Sequence, residues 1–161
     1  MHRMDLFNIF KYMLTVILSL AITSFSVFAD DNIVLSNGQT IYVPAYSHIY
    51  SGNRETPFLL TVTLSIRNVD IDNKITINRV DYYETQGHLL KEHIDDPIVL
   101  NPLESLRYVI PEKDERGGSG ANFIVEWISD KYVNAPIIES IMIGTKQQQG
   151  ISFISRGRPI K

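Results

Sequence analysis

Hydrophobic and polar residues alternate along much of this chain, which predicts a protein built from β-strands. The clearest stretch is residues 60–67, where Leu60, Val62, Leu64 and Ile66 share one face and polar side chains occupy the other. Successive side chains of a strand point to opposite faces of its sheet. Residues 60–67 therefore predict an antiparallel strand with one face buried and one face towards water.

Other segments show the same extended character, with turn-forming residues between them. Two of them, residues 122–129 and 137–143, are apolar on both faces, which predicts central strands covered by other parts of the protein. Residues 98–103 contain or adjoin prolines that lack a backbone N–H, so this segment is expected at a sheet edge or in a crossover. The remaining predicted strands are residues 39–46, 75–84, 88–94, 105–110 and 151–155.

Local irregularities in the pattern also carry information. The apolar phase slips between Ile77 and Val80, which predicts a β-bulge near residues 78–79. Residues 68–74 are rich in turn formers and separate two strands. Gly87 follows Thr-Gln in a short hairpin turn and is expected to take a positive φ.

These patterns predict an all-β fold: one immunoglobulin-like antiparallel β-sandwich of seven to nine strands, covering residues 30–161. A small closed β-barrel is the alternative, because strand number alone does not separate the two architectures. The period-two pattern predicts that the core includes Leu60, Val62, Leu64, Ile66, Val80, Phe123, Val125 and Trp127.

Residues 1–29 have the features of a secretory signal peptide. Arg3 and Lys11 precede an uncharged apolar run over residues 14–29, which ends in Val-Phe-Ala. We expect cleavage after Ala29 and a periplasmic or secreted location. A leader that is retained as an anchor in the inner membrane is the alternative, because the run is only slightly shorter than a membrane-spanning helix.

Composition narrows the classes of function. Without the leader, which contains Arg3, Lys11 and Asp5, 13 basic and 17 acidic residues remain, so the mature net charge is −4. This acidic balance argues against a nucleic-acid partner. There is no cysteine, so the fold is expected to need no disulfide, and no membrane contact is expected once the leader has been removed.

The most unusual segment is residues 114–122, here called the glycine loop. Glycine backbones can converge their N–H groups on an anion, and Arg116 could add a charge-assisted hydrogen bond. The simpler interpretation is a tight turn that uses glycine for positive φ angles. As a candidate site for a ligand or partner we single out Asp114, Arg116, Gly117, Gly118, Ser119, Gly120 and Asn122.

A hydrolase is the alternative function for this loop. Ser119 lies in a Gly-rich stretch that lacks the last glycine of the nucleophile-elbow motif, and a strand follows it where that motif needs a helix. His48, His88 or His93 could nominally act as a base. Because no complete set of nucleophile, base and orienting group is evident, we assign no catalytic residue.

Aromatic and ligand-type side chains give weaker signals. Tyr82 and Tyr83, with Trp127, could line an aromatic binding groove, although strand alternation favours core positions for some of them. His93 and Asp95 would share a strand face, but two ligands do not make a metal site. We therefore predict no metal and no cofactor.

Glu126 lies in the middle of an apolar strand. A carboxylate in such a position is expected either to pair with an arginine, such as Arg67 or Arg79, or to have a raised pKa. Glu126 is therefore included with Tyr82 and Tyr83 among the candidate binding residues.

Several motifs resemble a known bacterial family, the domain of unknown function 3124. They are YVPAYSHIY, LTVTLSIRN, VDYYETQGHLL, GGSGANFIVEW, PIIESIMIG and GISFISRG, within about residues 38–157. The resemblance implies a small exported bacterial protein and assigns no activity. Together with the composition, it favours an exported, non-catalytic binding or assembly module whose partner is an unknown protein or a small anionic ligand.

Overall fold

The structure is a computed structural model that describes residues 35–50, 56–146 and 149–161, together with Met13; for Lys146 and Gln149 it describes the backbone. All the architecture below belongs to the unit Ile33–Lys161. The predicted leader and its cleavage site before Asp30 lie outside the described residues. Within the described residues, no helix has the length and apolarity needed to cross a membrane.

The described chain contains twelve strands. Nine have three or more residues, in line with the predicted number, and three have only two residues. The strands are β1 (Leu35–Pro44), β2 (His48–Ile49), β3 (Phe58–Leu59), β4 (Thr61–Arg67), β5 (Ile75–Tyr83), β6 (Leu89–Glu92), β7 (Ile98–Leu100), β8 (Ser105–Ile110), β9 (Asn122–Asn134), β10 (Ile137–Lys146), β11 (Gln149–Arg156) and β12 (Arg158–Pro159).

The strands form two main antiparallel sheets. One has the order β12-β1-β9-β5-β6. Strand β7 pairs with the beginning of β5, on the same edge where β6 pairs with its end. The second has the order β11-β10-β4-β8, and β2 pairs with β3 in a small third sheet. The chain passes from the second sheet to the first at Gly157, where a Cβ would lie 2.5 Å from Ile41 Cγ2.

The two main sheets pack face to face around one core, and neither closes into a barrel. Ser140 on β10 is fully buried, and its hydroxyl donates a hydrogen bond across the sandwich to the carbonyl oxygen of Pro44 on β1. The predicted all-β sandwich is therefore confirmed, and the barrel alternative is wrong.

The core follows the period-two pattern of the sequence. All eight predicted core residues, from Leu60 to Trp127, are fully buried. Residues from β1, β5 and β10, including Val43, Ile77 and Met142, complete the same cluster. Burial of apolar surface in this cluster is the main stabilising contribution to the sandwich.

The predicted irregularities are present. The pairing of β5 with β9 shifts register between Ile77 and Arg79, which is the predicted bulge. Gly87 has a φ of 87° in the turn between β5 and β6. Of the segment 98–103, Ile98–Leu100 form the short edge strand β7, as the prolines predicted.

One expectation about the central strands needs correction. Strands β9 and β10 are central within their sheets, but their outer faces are not covered by other described parts of the protein. Ile128 is 47% exposed, Ile137 is 47% exposed and Ile143 is 51% exposed. Apolar residues on both faces of a strand therefore did not mean burial on both faces here.

Two buried polar side chains organise the end of the sandwich where β4 turns into β5. Asn68 donates its amide to the carbonyl oxygens of Asn73, Leu100 and Asn101. Asp70 accepts backbone N–H groups from Asp72, Asn73 and Asn134. Hydrogen bonds from the Asn134 backbone and then the Asp72 backbone lower the pKa of Asp70 to about 2.

The packing predicts unequal effects of two neighbouring substitutions on β4. Leu64→Ala removes a fully buried side chain and should lower the free energy of unfolding by about 2–5 kcal/mol. Thr63→Ala lies on the opposite face and should cost less than about 1 kcal/mol. Urea denaturation of both variants measures the difference, and equal losses would contradict the assignment of the two faces.

Candidate functional site

The glycine loop contains a short 3₁₀ segment, Glu115–Gly120, between β8 and β9. The Asp114 carboxylate caps it by accepting the backbone N–H of Arg116 at 3.3 Å. Gly118 interrupts the helical conformation with a φ of 77°, a region that residues with a Cβ rarely adopt. The expected use of glycine for a positive φ is therefore confirmed at this position.

Gly117 is buried against a pair of hydroxyl groups. Ser47 Oγ and the Tyr82 hydroxyl lie 2.8 Å apart in a buried hydrogen bond. A Cβ at Gly117 would overlap the Tyr82 hydroxyl and lie 2.6 Å from Ser47 Oγ. Glycine is required here because the loop backbone approaches this hydroxyl pair too closely for any side chain.

Backbone hydrogen bonds fix the loop from two sides. Ser47 N–H donates to the carbonyl oxygen of Gly118 at 2.9 Å. Thr85 donates to the carbonyl oxygen of Gly117 from both its N–H and its hydroxyl, each at 3.0 Å. The Thr85 hydroxyl in turn accepts the Gly120 N–H at 3.1 Å. These hydrogen bonds hold the backbone of the glycine loop in one position.

The charge of Arg116 is matched within the loop itself. Its Nε and Nη2 atoms donate to the two carboxylate oxygens of Asp114 at 2.8 and 2.7 Å. The hydrogen bond from Arg116 lowers the pKa of Asp114, so the pair is ionised at neutral pH. Because two of its donor groups already bind a carboxylate, this guanidinium attracts an incoming anion less strongly than the unpaired side chain that the sequence suggested.

A cleft of about 410 Å³ lies directly beside the glycine loop. We call it the acidic cleft, because its lining includes two carboxylates and, among the described residues, no basic side chain. Gly144 of β10 has no room for a Cβ, which would meet the Leu59 carbonyl oxygen and the Phe58 ring, so β3 is pressed against β10 at this point. The lining consists of Thr56, Pro57, Phe58, Leu59, Glu112, Glu115 and Thr145.

Tyr83 lies on the outer face of the six-stranded sheet in a polar cluster. Arg79 donates from Nε to the Asp81 carboxylate and from Nη2 to the Tyr83 hydroxyl. Tyr83 in turn donates to Asp81 at 3.2 Å. Glu126 lies opposite Arg79 in the register of β5 and β9, yet Arg79 forms its ion pair with Asp81. Within the described residues, the ion pair of Glu126 with Arg67 or Arg79, one of its two expected states, is therefore not formed.

The aromatic residues do not form one groove. Tyr82 and Trp127 are in the core, where Tyr82 stacks against Phe123 with ring centroids 4.7 Å apart. Tyr83 is on the opposite face of β5. Burial raises the pKa of Tyr82, while Ser47 satisfies its hydroxyl. The structure thus gives Tyr82 a packing role, and Asn122 marks the start of β9 beside Tyr83 in register.

The histidines proposed as bases each have other neighbours. His48 packs edge-on against Tyr50 with ring centroids 5.2 Å apart, and His88 pairs with Glu84. Ser119 is exposed, and within the described residues its hydroxyl makes no hydrogen bond to a histidine. No group of three His, Cys, Asp or Glu side chains in the described part of the chain is placed to hold a metal ion.

His93 is the histidine with the most unusual surroundings. Its ring lies between the sheets, 4.7 Å from the Tyr108 ring on β8 and 6.0 Å from the Phe123 ring on β9. Its Nε2 atom is buried and has no hydrogen-bond partner. Burial, followed by the nearby charge of Lys91, lowers the pKa of His93 to about 4, so the ring is neutral at pH 7.

Comparison with protein families gives one clear result. The family described as "Protein of unknown function (DUF3124)" matches residues 38–160, which is most of the chain. The chain belongs to this DUF3124 family. The resemblance expected from the sequence motifs is therefore confirmed, and the family assigns no activity.

Two further comparisons add little to the DUF3124 assignment. A search of curated proteins finds no match. Among solved structures, a crystal structure of Thermotoga maritima 1070 superposes with a TM-score of 0.43 and 14% sequence identity, covering 76% of this chain and 95% of that chain. At this TM-score the likeness carries no argument about fold or function.

Sequence reasoning about this DUF3124 protein found the glycine loop but missed its surroundings. Ser47 and Thr85 hold the loop, but no feature of the sequence around them indicates that they contact it. Glu112 and Glu115 belong to a polar loop, and Phe58 lies outside the predicted strands. No local signal joins them, because they meet only when β3, β10 and the loop come together.

The contact at Gly117 predicts a specific steric effect. Gly117→Ala should lower the free energy of unfolding by about 1–3 kcal/mol, because the added methyl group overlaps the Tyr82 hydroxyl. Gly150→Ala is the matched control, since a Cβ there meets nothing within 4 Å. Denaturation curves should also show a smaller loss for Gly117→Ala when Tyr82→Phe removes the hydroxyl; fully additive losses would contradict the proposed contact.

The low pKa of His93 predicts acid sensitivity. The unfolded chain binds a proton at His93 near the ordinary value of 6.5, whereas the folded protein does so only near 4. The contribution of the neutral ring is therefore present above pH 6.5 and is lost as the pH falls from 6.5 to 4. Between pH 7 and 4.5, wild type should lose more unfolding free energy than His93→Gln, as measured by urea titrations; parallel losses would exclude His93 as the cause.

Proposed function

We propose that this protein is an exported, non-catalytic binding module that holds part of another protein in the acidic cleft. The observation that carries the proposal is the position of the cleft beside a loop that Ser47, Tyr82 and Thr85 hold in place. A wall that is already ordered loses little conformational entropy when a partner binds. Export through residues 1–29 is part of the proposal and is supported by the uncharged run before Asp30.

The chemistry of the cleft favours binding over catalysis. Its volume lies within the range of about 300–1,000 Å³ that is usual for ligand pockets. Its lining combines apolar side chains with a few polar groups, which suits recognition. In the described structure Ser119 makes no hydrogen bond to a histidine, so no pairing that would activate a nucleophile supports the hydrolase alternative.

The charges of the loop favour a protein partner over a small anion. Arg116 is already paired with Asp114, and two further carboxylates, Glu112 and Glu115, line the adjacent cleft. An anion placed there would meet more negative than positive charge. A protein segment can offer both an apolar surface for Phe58 and a group that tolerates the carboxylates.

A second cavity suits specific recognition less well than the acidic cleft does. It has a volume of about 460 Å³ and lies beside β12, where Ile41 and Ile138 border it. Its described lining contains no charged residue, so it offers no electrostatic basis for choosing between partners. The acidic cleft is therefore the better candidate for specific recognition.

Site-specific photo-crosslinking tests the proposal. With p-benzoylphenylalanine in place of Thr145, inside the cleft, we expect one discrete adduct in cells that express the protein. With the same probe in place of Ser105, at the far edge of the four-stranded sheet, we expect none. Thr56→Trp narrows the cleft and should abolish the Thr145 adduct while leaving thermal unfolding unchanged.

Two results would overturn the proposal. Equal labelling from positions 145 and 105 would indicate nonspecific contact. An adduct at position 145 that survives Thr56→Trp would place the partner outside the cleft.

A further inference from the structure

The lining of the acidic cleft has two parts with different chemistry. Pro57, Phe58 and Leu59 provide an apolar surface, and Phe58 also packs against the hydrophobic core. Glu112 and Glu115 provide two exposed carboxylates from the loop that follows β8. A ligand that fills this cleft must therefore satisfy an apolar surface and a negative charge together.

Among the described residues, the basic side chains next in sequence to these carboxylates do not enter the cleft lining. Arg116 directs its guanidinium to Asp114 through two hydrogen bonds. Lys113 lies between the two glutamates in sequence but is not part of the cleft lining. Among the described lining residues the cleft thus carries two negative charges and no positive charge, which attracts a cation.

Lys and Arg side chains match this combination. Their aliphatic stems pack along apolar surfaces while the charged end stays near water or a carboxylate. A guanidinium or ammonium group also forms charge-assisted hydrogen bonds with carboxylates, which are stronger than neutral ones. The glutamates would repel an acidic side chain, and a neutral donor would form weaker hydrogen bonds with them than a cation does.

We propose that the acidic cleft binds a basic side chain, Arg or Lys, from an extended segment of the partner protein. The aliphatic stem lies against Phe58 and Leu59, and the cationic end interacts with Glu112 and Glu115. This inference rests on the proposed function and specifies the chemistry of its ligand.

Short peptides with matched charge test the inference. The probes are acetyl-Leu-Arg-Leu-amide and the same peptide with citrulline, which keeps the shape of arginine without its charge. We expect the arginine peptide to shift the NMR resonances of Leu59 and Thr145, and the citrulline peptide to bind about tenfold more weakly. Raising the salt concentration should lower the affinity of the arginine peptide and leave that of the citrulline peptide unchanged.

Matched variants locate the charge effect in the cleft. The double variant Glu112→Gln and Glu115→Gln should lower affinity for the arginine peptide about tenfold and make it equal to that for citrulline. Glu92→Gln, on exposed β6 outside the cleft, is the control and should leave the affinity unchanged. Thermal unfolding of all variants confirms that the fold is retained.

The outcomes separate this inference from the proposed function. Equal binding of the arginine and citrulline peptides would overturn the charge preference while leaving the cleft as a binding site. No binding of either peptide, with a specific adduct still formed at position 145, would overturn the ligand class but not the function. No binding and no specific adduct would overturn both.

Discussion

The buried hydrogen bond between Ser47 and Tyr82 sets the geometry of the whole loop end of this protein. Tyr82 belongs to β5 and has only 1% of its surface exposed, so its hydroxyl needs an internal partner. Ser47 supplies that partner at 2.8 Å, and the pair forms the surface against which Gly117 packs. The position of the glycine loop, and with it one wall of the acidic cleft, follows from satisfying a single buried hydroxyl.

The opposite end of the sandwich uses the same principle with different residues. Asn68 is 2% exposed and Asp70 is 5% exposed, and both are surrounded by backbone groups of the turns that they connect. Their side chains replace the hydrogen bonds that irregular backbone cannot make within a sheet. The two ends are therefore both held by buried polar groups, and each borders a cleft with charged, exposed side chains. Among the described residues, the cleft at the Asn68 end mixes acidic with basic side chains, whereas the acidic cleft has only carboxylates.

The charges around the glycine loop decide which ligand it can bind more than its shape does. A glycine-rich segment with an arginine suggests an anion site when each residue is considered alone. In the folded protein, the arginine donates its hydrogen bonds to Asp114. The Gly120 N–H, which an anion would need, donates to the Thr85 hydroxyl. Two exposed carboxylates, Glu112 and Glu115, line the adjacent cleft without a described basic side chain, which supports the proposal of a basic protein segment as the partner.

The sequence by itself determined the nine longer strands, the core face of the alternating ones and the family that the chain belongs to, but not the two-residue strands β2, β3 and β12. Strand alternation placed Leu64, Val80 and Trp127 in the core, and the slipped phase after Ile77 located the bulge, because these features depend only on near neighbours in the chain. Tertiary structure alone decided that Ser47, Tyr82 and Gly117 meet, and that Glu115 faces the same cleft as Thr145. It also decided that the outer face of β9 stays partly exposed. A period-two pattern specifies the face of a strand but not which distant strand or loop will cover it.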